Sequence, residues 1–301
     1  MVLTDTMRPV GAVHDHQIRI GDLWFGQRDA DGVAWWLADV PSFLSLSLRA
    51  ETGSRAWNDG GWVGSQWLEA AHFEIHLILI SEETTGNAAG SLLQSRLDAI
   101  MRGLPLRRTV PVLVKQWERW LLVEARCEES VKVIPVSPRR WDVTIPMVAP
   151  NPVKYAADPN EGAIAWGVYE TGLPKKSGGL RVPFRIPFII RSSFVAGELR
   201  FNVNGSARPL SQIIISGPVK NPVIRDAVAG WRVAVNLDMA AGERLVIDPG
   251  ARTVELNGAS RRGAISGGFP VLDVGEHLIT WSADAFSADA RLKIRVAESY
   301  I

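Results

Sequence analysis

Hydrophobic and polar residues alternate with a period of two along most of this chain, as they do in half-buried β-strands. Near the end, Leu292, Ile294 and Val296 alternate with basic residues. Runs of this kind predict strands over Arg19–Phe25, Ala70–Ile80, Val110–Val114, Trp120–Ala125, Val131–Val136, Trp141–Val148, Ala163–Tyr169, Val182–Ile190, Glu198–Val203, Ser211–Ser216, Trp231–Asn236 and Ala290–Val296. The pattern therefore predicts a mainly β protein.

Turn residues divide the stretch Gly242–Trp281 into hairpins. Alternation on both sides of Pro249-Gly250 predicts one hairpin, and Asn257-Gly258 predicts a second tight turn because that pair readily takes positive φ. Gly275 then opens a short strand that ends at Trp281. By the same reasoning, Asn204-Gly205 should end a strand with a tight turn.

One helix is predicted, from about Asn87 to Arg102. Its apolar stripe has helical spacing, and Gly103 stands where helices commonly stop. The stripe comprises Leu93, Leu97, Ile100 and Met101.

The prediction is therefore two domains of different class. Residues 1–150 should form an α+β domain, a sheet or split barrel with one helix, and residues 151–301 an antiparallel β-sandwich. Three prolines near Pro150–Asn160 should mark the boundary, because each interrupts a strand ladder.

The C-terminal motifs resemble those of a known family. The pattern L-x-ID-x-x-x-R-T-V-x-LNG followed by G-x-x-x-I-x-W is similar to the C-terminal domain of distal tail proteins and minor tail proteins of long-tailed bacteriophages. It is carried by Leu245, Ile247, Asp248, Arg252, Thr253, Val254, Leu256, Asn257, Gly258, Gly275, Ile279 and Trp281. A second similarity lies in RRWDVTIPMVAPNPVKYAADP, residues Arg139–Pro159.

The resemblance implies a structural role in a virion. Domain 1–150 would join copies into a hexameric ring that continues the tail tube, and domain 151–301 would be a galectin-like sandwich that helps anchor tail-tip or receptor-binding components. The implied partners are further copies of this chain, the tail tube protein and other minor tail proteins. Assembly would take place in the host bacterial cytoplasm, and the final location would be the tail tip.

Composition and charge limit the classes of protein to which the chain could belong. The 301 residues are 47% hydrophobic with a net charge of +1, which gives no support to general nucleic-acid binding. The single cysteine, Cys127, excludes a disulfide framework and suggests a structural thiol. Neither a signal peptide nor a membrane-spanning run is visible, so a soluble protein made inside the cell is expected.

The histidines suggest a metal site, but the chain offers too few converging ligands. His14 with His16, and His72 with His76 around Glu74, could each present two imidazoles on one strand face. Zinc needs three or four converging ligands, so polar strand faces are the preferred interpretation. The GxSxG, P-loop and HExxH motifs do not occur. We therefore predict no catalytic, cofactor-binding or metal-binding residues, no cofactor and no enzymatic activity.

Tryptophans are concentrated before the predicted boundary, where nine of the 12 occur: Trp24, Trp35, Trp36, Trp57, Trp62, Trp67, Trp117, Trp120 and Trp141. Trp35-Trp36 with Trp57, Trp62 and Trp67 could form a stacking platform for sugars. Protein interfaces are also rich in tryptophan, and for a ring-forming chain an interface is preferred. The galectin sugar-binding pattern is absent, since Trp166-Gly167 is followed by Val168 and Tyr169.

Three functions remain, in order of preference. The first is a structural tail-tip protein, and the second is a carbohydrate-binding module acting in host adsorption. A cell-wall hydrolase comes third, because no catalytic constellation stands out and the chain already fits two noncatalytic domains; it would need a pair of carboxylates suited to glycoside hydrolysis.

Overall fold

The computed structural model describes residues 17–39, 47–104, 107–174, 176–177, 193–194, 197–285 and 287–301. Contacts between residues divide the chain into two units, one ending at Ala165 and one covering Trp166–Tyr300. The mainly β prediction is confirmed. The division falls beyond the three prolines because Tyr155 and Ala156 pair with Leu122 and Leu121 of the first unit.

The first unit contains thirteen strands and one helix in its described part. They are β1 (Ile18–Ile20), β2 (Leu23–Phe25), β3 (Gln27–Arg28), β4 (Val33–Leu37), β5 (Leu48–Ser54), β6 (Gly61–Leu68), β7 (Ala71–Ser81), α1 (Gly86–Gly103), β8 (Val110–Gln116), β9 (Arg119–Cys127), β10 (Lys132–Ser137), β11 (Arg140–Ala149), β12 (Lys154–Asp158) and β13 (Ala163–Ile164).

Two antiparallel sheets make up most of this unit. One has the order β2-β1-β8-β9-β12-β13 and the other β3-β4-β7-β11-β10, and they meet where Met147 of β11 pairs with Cys127 of β9. The strand predicted over Ala70–Ile80 is confirmed as β7, and its alternation gives it an inward face. Its members Phe73, Ile75, Leu77 and Leu79 are all buried.

Arg19–Phe25 was predicted as one strand, and this prediction is wrong. Gly21, at φ +57°, turns the chain so that β1 and β2 form a hairpin in which Ile18 pairs with Phe25. The sequence pattern resembled one strand because both strands of the hairpin contribute buried residues, which are Ile18, Ile20 and Phe25.

Helix α1 confirms the predicted helix, with a narrower buried stripe. Ala89, Leu93 and Ile100 are buried, whereas Met101 is 52% exposed. Met101 follows Ile100 by one residue, a rotation of about 100° around the helix that carries it off the packed face. The helix packs against β7 and β2.

Among its described residues, the second unit contains strands and one 3₁₀ turn, at Arg262–Ala264. In its described part the strands are β14 (Gly167–Gly172), β15 (Lys176–Ser177), β16 (Ser193–Phe194), β17 (Glu198–Val203), β18 (Ala207–Ser216), β19 (Val219–Lys220), β20 (Val223–Asp226), β21 (Arg232–Val235), β22 (Asp238–Met239), β23 (Arg244–Asp248), β24 (Thr253–Leu256), β25 (Ala259–Ser260), β26 (Ile265–Ser266), β27 (Gly275–Ser282) and β28 (Arg291–Tyr300).

These strands form two antiparallel sheets that share one core, as the predicted sandwich requires. The first sheet has the order β14-β28-β18-β23-β24-β25, and the second β17-β27-β20-β21-β26. Leu292 and Ile294 of the first sheet and Ile279 and Trp281 of the second belong to the same buried cluster. A galectin-like relationship stays a prediction from the resemblance.

Both hairpin predictions in this unit are confirmed. Leu245 pairs with Leu256 and Asp248 with Thr253, and Asn257 and Gly258 take φ of +50° and +82° in the second turn. In the first turn, however, the positive φ falls on Arg252, at +54°, rather than on Gly250.

Asn204-Gly205 ends strand β17 as predicted, but the chain does not return beside that strand. Strand β17 pairs with β27 while β18 pairs with β28 and β23, so this segment carries the chain from one sheet to the other. Gly205 has φ +134°, and a Cβ there would lie 2.4 Å from the carbonyl oxygen of Ser299. The crossing therefore requires glycine.

Two further strand predictions need comment. Ala163–Tyr169 was predicted as one strand, but the structure breaks it between β13 and β14. The break coincides with the division between the two units. The predicted strand Val182–Ile190 lies outside the described residues.

Candidate interaction surface

Strands β5 and β6 form a hairpin that pairs, within the described residues, only with itself. Neither strand contributes a buried residue. Large apolar side chains are nevertheless displayed on it. Their exposed fractions are 95% for Trp57, 49% for Trp62, 49% for Trp67, 70% for Val63 and 57% for Leu48. Large exposed apolar side chains concentrated on one element are typical of an interaction site.

The strand register places Trp62 and Trp67 on one face of this hairpin. Trp67 pairs with Arg49 and Trp62 with Gly53, and positions 49 and 53 share a face because they are four residues apart on one strand. The guanidinium of Arg49 lies 5.6 Å from the ring centroid of Trp67. We call Arg49, Trp62 and Trp67 the hairpin face.

Glycine makes room for one of these indoles. A Cβ on Gly53 would lie 2.4 Å from Nε1 of Trp62, so the ring lies directly against the backbone of β5. The hairpin face is therefore built by local sequence, with a flat ring over a glycine and a cation beside the second ring.

Trp35 does not belong to an exposed platform, which corrects the predicted set of five tryptophans. Trp35 is only 5% exposed and donates from Nε1 to the Asp29 carboxylate at 3.0 Å. Its ring stacks on Phe25 with centroids 5.7 Å apart. Trp35 is therefore a core residue of the β3-β4-β7 sheet. Only the exposed tryptophans remain candidates for a sugar-binding site or a protein interface.

The predicted pair His72 and His76 lies on one face of β7, above a groove of about 530 Å³. Nδ1 of His72 is 2.8 Å from Glu128, while Nε2 of His76 is 3.2 Å from Glu74 and 3.8 Å from Asp39. Within the described ranges, no group of three His, Cys, Asp or Glu side chains could hold a metal ion. His14 and His16 lie outside the described residues.

An ion-pair cluster fixes helix α1 to the β3–β4 hairpin. Arg96 donates from Nε to Asp29 at 2.7 Å and also pairs with Asp31. Burial opposes the ionisation of Asp29, but hydrogen bonds from Trp35, Arg96 and the Val33 N–H outweigh it and hold the pKa of Asp29 below its usual value. The charged groups of this cluster pair with one another, as expected of a structural element that holds the helix in place.

Cys127 lies at the end of β9, next to the groove residue Glu128. Burial raises the pKa of its thiol above the usual value, and the thiol contacts the Glu129 carbonyl oxygen at 2.9 Å. A thiol that stays protonated at neutral pH is a poor nucleophile. This behaviour fits the structural role expected for it.

Sequence reasoning missed one buried polar pair, Asp226 with His277. Nδ1 of His277 is 2.6 Å from Asp226, and its Nε2 is 2.9 Å from the carbonyl oxygen of Asp273. Both side chains are almost fully buried. A usable signal existed, since His277 occupies an inward position two residues before Ile279, where strand alternation expects an apolar residue. Both ring nitrogens are engaged by protein atoms, as in a structural pair.

None of the helices in the described ranges is long and apolar enough to cross a membrane.

Part of the chain matches the model of a known protein family. Residues 204–300 match the model of the family described as siphovirus-type tail component, C-terminal domain. None of the curated proteins matches the sequence significantly. The family match covers the strand crossing at Gly205, both predicted hairpins and the buried Asp226–His277 pair.

One solved structure extends the likeness in fold beyond that domain. The SPP1 Dit protein is 13% identical, with coverage of 85% of this chain and 90% of that chain and a TM-score of 0.55. Its crystal structure is described as a paradigm of hub adsorption apparatus in phages infecting Gram-positive bacteria. At that identity the likeness establishes the fold alone.

The phage P2 baseplate, in its activated conformation with Ca, is 11% identical over 94% of this chain and 98% of that chain. Its TM-score of 0.45 is too low to support an inference. The family match over residues 204–300 confirms, for that domain, the resemblance to tail proteins of long-tailed phages predicted from sequence, and the likeness to SPP1 Dit shows a shared fold.

Proposed function

We propose that this chain is a structural, non-enzymatic subunit of a phage tail tip. Copies of the first unit assemble into a hexameric ring that joins the tail tube to the tail-tip or receptor-binding apparatus. The sandwich of the second unit helps to anchor those tail-tip proteins. The subunit is made in the cytoplasm of the host bacterium and ends up in the virion.

The observation that carries the proposal is the exposed hairpin β5–β6. A two-stranded hairpin is at best marginally stable alone in water, and no further strand pairs with this one among the described residues. It nevertheless displays three tryptophans. Side chains of this kind dominate protein interfaces because they bury a large area at low entropic cost. The hairpin is therefore suited to be covered by a neighbouring subunit.

The test is the mass of the purified protein in solution, measured by light scattering over a range of concentrations. We expect the mass to rise toward six subunits, and we expect the Trp62→Ala/Trp67→Ala variant to stay monomeric. Trp117→Ala is the matched control, since Trp117 is 87% exposed but lies on the β8–β9 turn. A wild-type protein that never associates, or a double variant that associates normally, would contradict the proposal.

The hairpin also supports a second candidate, carbohydrate binding during host adsorption. Trp57 is almost fully exposed, and Trp62 and Trp67 share one face, as sugar-stacking indoles do. A saccharide array separates the two functions. Saturable binding that is lost in Trp57→Ala or Trp62→Ala would favour sugar recognition, whereas the absence of any bound saccharide would leave the interface role alone.

A further inference from the structure

We draw no further inference here: the strongest candidate, the acidic groove of about 530 Å³ over β7, holds Glu74 and Glu128 already paired with His76 and His72, and nothing in the structure points to the ligand that would fill it.

Discussion

The carboxylate of Asp226 and the imidazole of His277 form a buried pair inside the C-terminal sandwich, with 2.6 Å between Oδ2 and Nδ1. The other carboxylate oxygen, Oδ1, accepts from the N–H groups of Val228 and Ala229 at 2.9 and 3.1 Å. This one side chain therefore fixes the turn after β20 and the neighbouring strand β27 together.

Replacing Asp226 with alanine should strongly destabilise the second unit. The change leaves a buried imidazole and two N–H groups without their acceptor, and losing one partner of a buried pair costs about 3 kcal/mol or more. Urea unfolding would measure the loss. Asp226→Asn is the control, because its amide oxygen can still accept from the turn, and it should cost less. Equal losses in the two variants would argue against a role for the turn bonds.

Ile294→Ala should also destabilise the second unit. Ile294 is fully buried and lies on β28 between Tyr169 of β14 and Ile213 of β18, so its loss leaves a cavity between the sheets. A substitution of this type costs about 3 kcal/mol. Val168→Ala, at a position that is 54% exposed on the neighbouring strand, should change the free energy of unfolding by less than about 0.5 kcal/mol. A similar effect of the two variants would contradict this view of the core.

Acid should weaken the contact between helix α1 and the β3–β4 hairpin. The pKa of Asp29 is lowered in the folded protein, so its ionised form contributes stability above the unfolded pKa of about 3.9, and that stability is lost as the pH falls through the lower folded pKa. Asp29→Asn should be less stable than the wild type at pH 7, and the difference should shrink toward pH 3. Denaturant unfolding across this range would check it, and a difference independent of pH would contradict it.

Reversing the charge of Arg232 should stabilise the second unit slightly. Arg225 and Arg232 are direct cross-strand partners on the outer face of the β20–β21 pair, and like charges in such positions repel. We expect Arg232→Glu to gain about 0.5 kcal/mol at low salt and to lose that gain at high salt because of screening. Arg232→Gln should give a smaller gain. A destabilised Arg232→Glu protein would show that this arginine has another role.

Most of the fold could be predicted from strand alternation and from the residues that favour turns. Leu292, Ile294 and Val296 are buried as predicted, and Asn257-Gly258 makes the predicted turn, because both signals depend on a few neighbouring residues. Asn204-Gly205 ends strand β17 as predicted, but the path of the chain beyond it could not be predicted. An Asn-Gly pair marks a sharp change of direction, but only the pairing of distant strands decides whether the chain returns or crosses to another sheet.

The surfaces were harder to predict than the strands. Trp35 and Trp67 look alike in sequence, yet Trp35 packs against Phe25 and donates to Asp29, while Trp67 is half exposed on a hairpin whose strands, among the described residues, pair only with each other. The burial of an indole depends on which distant residues surround it, and a local sequence pattern does not contain that information. The Asp226–His277 pair was missed for the same reason, since its members are 51 residues apart.

The isolated hairpin β5–β6 also has a consequence for the order of events during assembly. Its backbone hydrogen bonds are shielded only by each other, so in a free subunit they should open often and exchange their amide hydrogens rapidly. Once a neighbour covers the tryptophans, opening requires dissociation as well, and exchange should slow. Ordering the hairpin costs conformational entropy, and a free subunit would lose that entropy at its first contact with a neighbour. In the proposed ring each subunit would then resist unfolding more strongly than it does alone.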